Sequence, residues 1–331
     1  MREAARKTEL VRVCSLVIAG FVAFALHAVP VRASEVRGIP ALPAQIAAVE
    51  AALEVRPVGP LTSRLAFWES ARGRRILSYD VDMTKRIHVI VVGDDLRTFL
   101  HLHPVLDDRG TFRIVVTVPK AGLYHVYADG DPHGYGHHVF RFDVPFGSAT
   151  MTRGVLVRGV PTARTGPYEV TLDRTSVHAG SLASIAVAIT KNGRPATDLH
   201  PYLGGLAHAV FVNAADLAYL HVHPVPAGSV AGMSGMSGMG MGNEMPMETL
   251  PDSAHIDSRM NLRAMLPSAG TYVLWLQFRG MQSIYVARFV ITAHSHASSS
   301  RSLRSSASYA IVQVDYSGIE TARLKEFEIP S

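Results

Sequence analysis

The sequence predicts an all-β protein: two immunoglobulin-like β-sandwich domains in tandem, preceded by a signal peptide and a short helix or linker. Two observations carry this. From Leu61 onward the chain consists of short runs rich in Val, Ile, Tyr and Phe, separated by Gly, Pro and Asp, among them residues 87–92, 112–118, 123–128, 139–144, 168–172, 184–190, 209–212 and 272–278. Runs of that length and spacing, with little helical periodicity, argue a sandwich or barrel. The chain also repeats itself. Ile87-His88-Val89-Ile90-Val91-Val92 recurs as Ala207-His208-Ala209-Val210-Phe211-Val212, and Phe99-Leu100-His101-Leu102-His103-Pro104-Val105 as Tyr219-Leu220-His221-Val222-His223-Pro224-Val225, so three histidines recur at an offset of 120 with no gap. Pro119-Lys120-Ala121-Gly122-Leu123-Tyr124 matches Pro267-Ser268-Ala269-Gly270-Thr271-Tyr272, and Arg141-Phe142 matches Arg288-Phe289. An insertion near 226–257 widens the later spacing. A period this long marks a duplicated domain and not a solenoid.

The elements follow in order. Arg2, Arg6, Lys7 and Arg12 precede an apolar run over residues 13–29, and Val31-Arg32-Ala33 offers small groups where a signal peptidase reads. This layout predicts a secretory signal peptide over residues 1–33 and a periplasmic or secreted protein. The competing reading is an uncleaved anchor helix, since the run is near the lower limit for a span. Cys14 stands at the start of the run, which argues against a lipoprotein anchor. Residues 34–60 read as a linker or short helix, because Ile46, Val49 and Leu53 fall at helical spacing in an Ala-rich stretch. The first sandwich is expected over 61–147 and the second over 166–293, with the boundary in the Gly/Arg-rich stretch 147–166. Residues 294–331 read as a Ser-rich tail, flexible over 294–308, while Tyr309–Pro330 regains some apolar pattern that assigns it to neither domain.

Composition excludes several classes. Charged residues make up 18% of the 331, against about a quarter in ordinary soluble chains, so a charge-rich disordered protein is ruled out. The single cysteine lies in the segment expected to be removed. Without it there is no disulfide and no thiolate-ligated metal centre, blue copper included. The formal net charge of +5 contains a surplus of three from Arg2, Arg6, Lys7, Arg12 and Arg32 over Glu3 and Glu9. The remaining +2 is too weak to argue for a nucleic-acid partner. No Ser/His/Asp order, paired carboxylate motif or phosphate loop stands out, so an enzyme is not expected, although a three-His site with an open position can activate water.

The histidines carry the chemistry. His101 and His103 are two residues apart in a strand and therefore share a face. If residues 87–92 and 99–103 form a hairpin about the loop 93–98, His88 falls opposite His103 and Ile90 opposite His101. Three imidazoles then lie within cross-strand reach, and a one-residue slip of register turns His88 away. The same construction gives His208, His221 and His223 in the second domain. Neutral imidazole is a good ligand for Cu(II), Zn(II) and Ni(II); a duplicated structural His–backbone network is the plainer alternative. Further ligands are expected in the Gly-rich segment Asp129-Gly130-Asp131-Pro132-His133-Gly134-Tyr135-Gly136-His137-His138, which offers His133, His137 and His138; an ordinary solvated turn is the equal alternative. In the second domain the corresponding loop offers only Met281. His125, in an apolar strand, reads as a core or interface histidine.

Six of the chain's 12 methionines, Met233, Met236, Met239, Met241, Met245 and Met247, fall within 15 residues of Gly and Ser. Such a matrix cannot form a packed core. Thioether is a soft neutral ligand that prefers Cu(I), and several on a flexible loop wrap one ion without fixed geometry; a plain flexible spacer is the alternative.

Lys85-Arg86-Ile87-His88-Val89-Ile90-Val91-Val92, the two HxHP blocks at His101 and His221, and the run Gly193 to His208 that includes Pro201-Tyr202-Leu203-Gly204 resemble a family of secreted bacterial proteins with two YtkA-like, immunoglobulin-like domains, over roughly residues 60–292. That resemblance implies a secreted sandwich that handles heavy metals, and it implies no catalytic residues. The ligand pattern, though not the alignable sequence, is similar to that of CopC-type periplasmic copper carriers. The expectation is therefore a periplasmic or secreted copper protein that binds Cu(I) and Cu(II), with zinc as a further candidate, and that buffers the metal or passes it to a copper exporter or membrane metal transporter. A non-catalytic interaction module with structural histidines is the alternative.

Overall fold

The two-residue period of an extended chain sorts the strand side chains of the described residues into inner and outer faces of four sheets. The structure is a computed structural model and describes residues 33–42, 48–151, 153–229, 249–281 and 283–295. The expected signal segment as far as Arg32, the methionines from Met233 to Met247 and the tail beyond Ser295 lie outside the described residues. Every regular element among the described residues is a strand.

In the first sandwich one sheet runs Ser34–Arg37, Val49–Gly59, Thr62–Ala71, Phe112–Thr117, Val105–Leu106. The facing sheet runs Ile39–Pro40, His138–Phe146, Gly122–Pro132, Ile87–Gly93, Phe99–Leu102. The second sandwich repeats the plan except at one edge, where Ser176–His178 runs parallel to its neighbour while Ile39–Pro40 runs antiparallel. Thr162–Thr165, Tyr168–Leu172, Ala183–Lys191, Arg259–Ala264 and Val225–Pro226 face Ser176–His178, Ser283–His294, Gly270–Gly280, His208–Asn213 and Tyr219–Val222. The fold is the expected pair of tandem β-sandwiches.

The expected linker or helix over 34–60 is corrected. Ser34–Arg37 pairs with Val49–Gly59, an 11-residue strand whose Val49, Ala51, Leu53 and Val55 are buried while Glu50 and Glu54 are exposed. Alternation at two residues, anchored by the adjacent Thr62–Ala71 strand, prevails over the helical spacing of Val49 and Leu53 and over the helix preference of alanine. The first domain thus begins ahead of residue 61.

The repeated Ala-Gly-x-Tyr motif has a structural cause. Gly122 and Gly270 adopt φ of 150° and 152° at the entry to equivalent strands, a conformation side chains resist. Two residues on, the Tyr124 hydroxyl donates to the Lys120 carbonyl at 2.8 Å and the Tyr272 hydroxyl to the Ser268 carbonyl at 3.0 Å. Each tyrosine pins the turn to its own core in the manner of a tyrosine corner.

Each sandwich has its own hydrophobic core, and a third core joins them. Ile87, Val89 and Val91 point into the first sandwich, whereas Ile90 and Val92 point out of it and meet Val210 and Val212 of the second. Both faces of the strand Ile87–Gly93 are therefore covered, and all seven of its residues are buried. Tyr127 stacks on Tyr219 with ring centroids 4.7 Å apart, and Trp275 on Phe99 at 5.4 Å. These pairs are equivalent under the duplication, with the domains exchanged, so a pseudo-two-fold relation holds across the interface. Arg141 reaching the Asp216 carbonyl and Arg288 reaching the Leu96 carbonyl repeat it.

Candidate metal centre

The hairpin register sets the histidines. Ile90 pairs with His101 and Val89 with Leu102, and in the second copy Val210 pairs with His221 and Ala209 with Val222. One step further, His88 stands opposite His103 and His208 opposite His223, on the outward face shared with Ile90 and Val210. Because those outward faces dock on each other, the two triads expected as separate clusters form a single chamber. Ring centroids of His88 and His221 are 5.2 Å apart, and those of their counterparts His208 and His101 are 5.3 Å apart. His88, His101, His208, His221 and His223 are all buried, and His103 half-buried at one side.

Within the chamber, His88 Nδ1 lies 2.8 Å from His101 Nε2, His208 Nδ1 lies 3.2 Å from His221 Nε2, and His223 Nε2 lies 3.1 Å from His208 Nδ1. Two metal-compatible trios emerge, with one nitrogen from each member within 4.8 Å of the others: His88, His101, His103, and across the domains His101, His208, His221.

The outward nitrogens fix the tautomers. His221 Nδ1–H donates to Asp129 Oδ2 at 3.0 Å, His208 Nε2–H to the Tyr202 carbonyl at 3.0 Å, and His101 Nδ1–H to Gln277 Oε1 at 2.8 Å. A carbonyl and a carboxylate only accept, so the inner nitrogens His208 Nδ1, His221 Nε2 and His101 Nε2 carry no proton of their own; without metal, His88 Nδ1–H donates to His101 and His223 Nε2–H to His208. A cation that displaces those two protons finds three inward nitrogens, and each of the three imidazoles carries the outer partner characteristic of metal-bound histidine. In the chamber, His88 Nε2, His103 Nε2 and His223 Nδ1 are buried without a hydrogen bond.

Electrostatics oppose a charge on five of the six rings. Burial, reinforced by neighbouring imidazoles, holds His88, His101 and His208 well below the usual histidine range; burial lowers His103 to about 4 and His223 to about 3. Asp129 behaves oppositely. Burial opposes its charge, but His137 and His221 hold it well below the carboxylate range. It accepts from His137 Nε2–H at 2.6 Å, from His221, and from the Tyr219 hydroxyl at 2.7 Å. Burial works against a charged His137 too, yet Asp129, aided by Asp131 and Asp82, raises it to about 9. Asp129 and His137 thus form a buried ion pair behind His221. The position equivalent to Asp129 is Gln277: they pair with His88 and His208 respectively, and each reaches across to a histidine of the other domain.

The segment read as a Gly-rich ligand loop is corrected. Asp129, Gly130, Asp131 and Pro132 belong to the strand Gly122–Pro132, and His138 opens the next one. Exposed His133 bonds Asp80 at 2.8 Å, and His138 bonds the Gly136 carbonyl at 2.8 Å. The structure does not bring either to the chamber, and His137 reaches it only through Asp129. Met281 is corrected likewise: it is half exposed and meets the Lys191 ammonium at 3.1 Å. His125 is buried between Asp143 and Asp94 at 2.7 and 3.2 Å, away from the chamber.

Glu69, fully buried, was not singled out by the sequence. Its counterpart 120 residues on is Ile189, as Ile76 N–H and Ala196 N–H donate to their respective carbonyls. Burial pushes its carboxyl up to about 8, against the pull of Tyr79 and His137. Below pH 4.5 folded and unfolded chains both hold that proton; between pH 4.5 and about 8 only the folded chain does, so stability is lost as pH rises, by up to about 1.4 kcal/mol per unit. Glu69→Gln is expected to melt higher than the wild type at pH 8 and equally at pH 4; equal melting at both would show the carboxyl to be ionised in the fold.

No curated protein matches the chain. Among solved structures, a crystal structure of a Salmonella alpha-2-macroglobulin mutant is similar over 77% of this chain, with 12% identity and a TM-score of 0.19. This chain spans 16% of that much longer one. A family model, described as Domain of unknown function (DUF8832), matches residues 46–147 and 162–295, one stretch on each sandwich. Those stretches make up more than half of the sequence, and the chain belongs to that family.

Proposed function

We propose that this protein binds copper in the chamber between its sandwiches and serves, in the periplasm or outside the cell, as a copper buffer or carrier. The observation that carries the reading is the convergence of acceptor imidazole nitrogens from both domains, their outer nitrogens held by Asp129, Gln277 and the Tyr202 carbonyl. Imidazole alone suits zinc as well as copper. The methionine-rich sequence that follows His221-Val222-His223-Pro224 favours copper, because thioether selects Cu(I) over Zn(II). The closed walls of the chamber suit storage and transfer to a membrane exporter better than turnover of a substrate.

The reading is tested by anaerobic Cu(I) and Zn(II) titration of the full chain against competing chelators, with X-ray absorption to count nitrogen and sulfur ligands. The wild type is expected to hold Cu(I) on nitrogen, and His101→Asn with His221→Asn to lose those nitrogen ligands while keeping its β-sheet circular dichroism. Copper held equally by both chains, on sulfur alone, would remove the chamber from the proposal.

A further inference from the structure

We propose that a single copper ion enters the chamber at its His103 end, on His88, His101 and His103, and passes inward to His101, His208 and His221 by exchange of ligands around a stationary His101. This rests on the copper reading above and adds to it the route of loading and the number of ions.

The shared histidine is the first argument. Each of the two trios gathers one nitrogen per member within 4.8 Å, and His101 belongs to both. Its Nδ1–H is held by Gln277 Oε1 at 2.8 Å, which leaves it a single nitrogen to give. An ion on one trio therefore excludes an ion on the other, and one ion has two stations. Moving between them, it lets go of His88 and His103, takes up His208 and His221, and is never without a nitrogen ligand.

The unlike ends of the chamber are the second. His103 is half-buried, whereas its counterpart His223 is 3% exposed and bonded to His208 at 3.1 Å. The chain just beyond differs in the same sense: Val105 is 74% exposed and its counterpart Val225 only 6%. One copy of the hairpin has been closed over and the other left open. All three members of the inner trio are buried, while the outer trio reaches the surface through His103, so an ion coming from solvent meets His103 first.

The direction of transfer is the third. His101, His208 and His221 each have an outer partner, respectively Gln277, the Tyr202 carbonyl and Asp129. Asp129, already paired with His137, supplies orientation and not counter-charge. Among the described residues, only His101 of the outer trio has such a partner. His88 Nε2 and His103 Nε2 are buried without a hydrogen bond, and Asp82 stands 4.0 Å from the former, beyond hydrogen-bond reach. The charge of Lys85 also disfavours a cation at His103. Outer partners strengthen metal binding about 10- to 100-fold, so the inner trio is the tighter and the ion runs downhill toward it.

The test uses the full chain carrying Met→Ser at 233, 236, 239, 241, 245 and 247, which removes the loop thioethers, and follows Cu(I) leaving a chromophoric chelator by anaerobic stopped flow. The parent is expected to take up one ion. His103→Gln keeps the bulk at the half-buried end and with it the fold. It is expected to load and release the ion about tenfold more slowly, both rates falling together, because the ion must then wait for the sandwiches to part. His208→Ala is expected to load at the parent's rate and to hold the ion about 10- to 100-fold more weakly, on the outer trio. Circular dichroism checks each fold, and if His208→Ala does not fold, the His103 variant decides alone. Loading of His103→Gln at the parent's rate or faster, or release unchanged while loading slows, overturns the route and leaves the copper reading standing. Two ions in the parent overturn the sharing of His101 and likewise leave that reading. No ion overturns both.

Discussion

Acidification from pH 7 to pH 4 is expected to part the two sandwiches while each keeps its sheets. His88, His101 and His208 are held well below the usual range by burial, His223 at about 3 and His103 at about 4. Once the domains separate, these rings return to water and to a pKa near 6.5. Above that value neither form is protonated and docking is unaffected. Below it the separated form takes up protons that the docked form refuses, so docking is lost as pH falls, at about 1.4 kcal/mol per unit for each ring. With the four most buried rings acting together the slope reaches roughly 5 kcal/mol per unit at most, enough to outweigh the apolar interface near pH 5. Trp275, buried in that interface against Phe99, reports the event: its emission should shift to the red while far-ultraviolet circular dichroism persists. Bound copper occupies the same lone pairs and should move the midpoint to lower pH. Retention of the native emission down to pH 4 in the metal-free chain would contradict the assignment of neutral, buried imidazoles.

The sequence makes the strands and one register legible, and hides the docking. Residues 87–92 and their copy at 207–212 announce strands by their β-branched content, and the spacing about the loop 93–98 is enough to set His88 opposite His103. The run 87–92 is also apolar on both faces, which marks a sheet covered on both sides. It does not say that the second cover is the chain's own other half, because no local rule couples residues 120 apart. Asp129 is readable only as an acidic residue near histidines. Its place opposite His88 follows from long-range pairing of the strand Gly122–Pro132, and its partner His221 from the domain interface. Residues 49–55 fail for a different reason: two periods coexist there, and only the neighbouring strand decides between them.

Asp129 is where substitution should reach furthest. Its two oxygens accept from His137, His221 and the Tyr219 hydroxyl, joining both domains at one buried carboxylate. Asp129→Asn keeps the shape but removes the charge that balances His137, and breaking a buried ion pair from one side costs about 3–5 kcal/mol. The amide also presents an N–H where His221 needs an acceptor. If His221 then accepts at Nδ1, its proton moves to Nε2, the atom that faces His208 and any bound ion, and the lone pair is lost from the chamber. Loss of an outer partner typically weakens metal binding about 10- to 100-fold, and here it acts on the trio His101, His208 and His221 only. Asp129→Asn should therefore lower the denaturation midpoint of the metal-free chain and weaken copper binding at that trio, while the trio His88, His101 and His103, held by Gln277, retains its affinity. Gln277→Glu provides the converse: a second carboxylate behind the shared His101, destabilising without metal and strengthening both trios with it. Chelator competition on the two variants separates these outcomes, and equal affinities in both would show that neither residue tunes the ion.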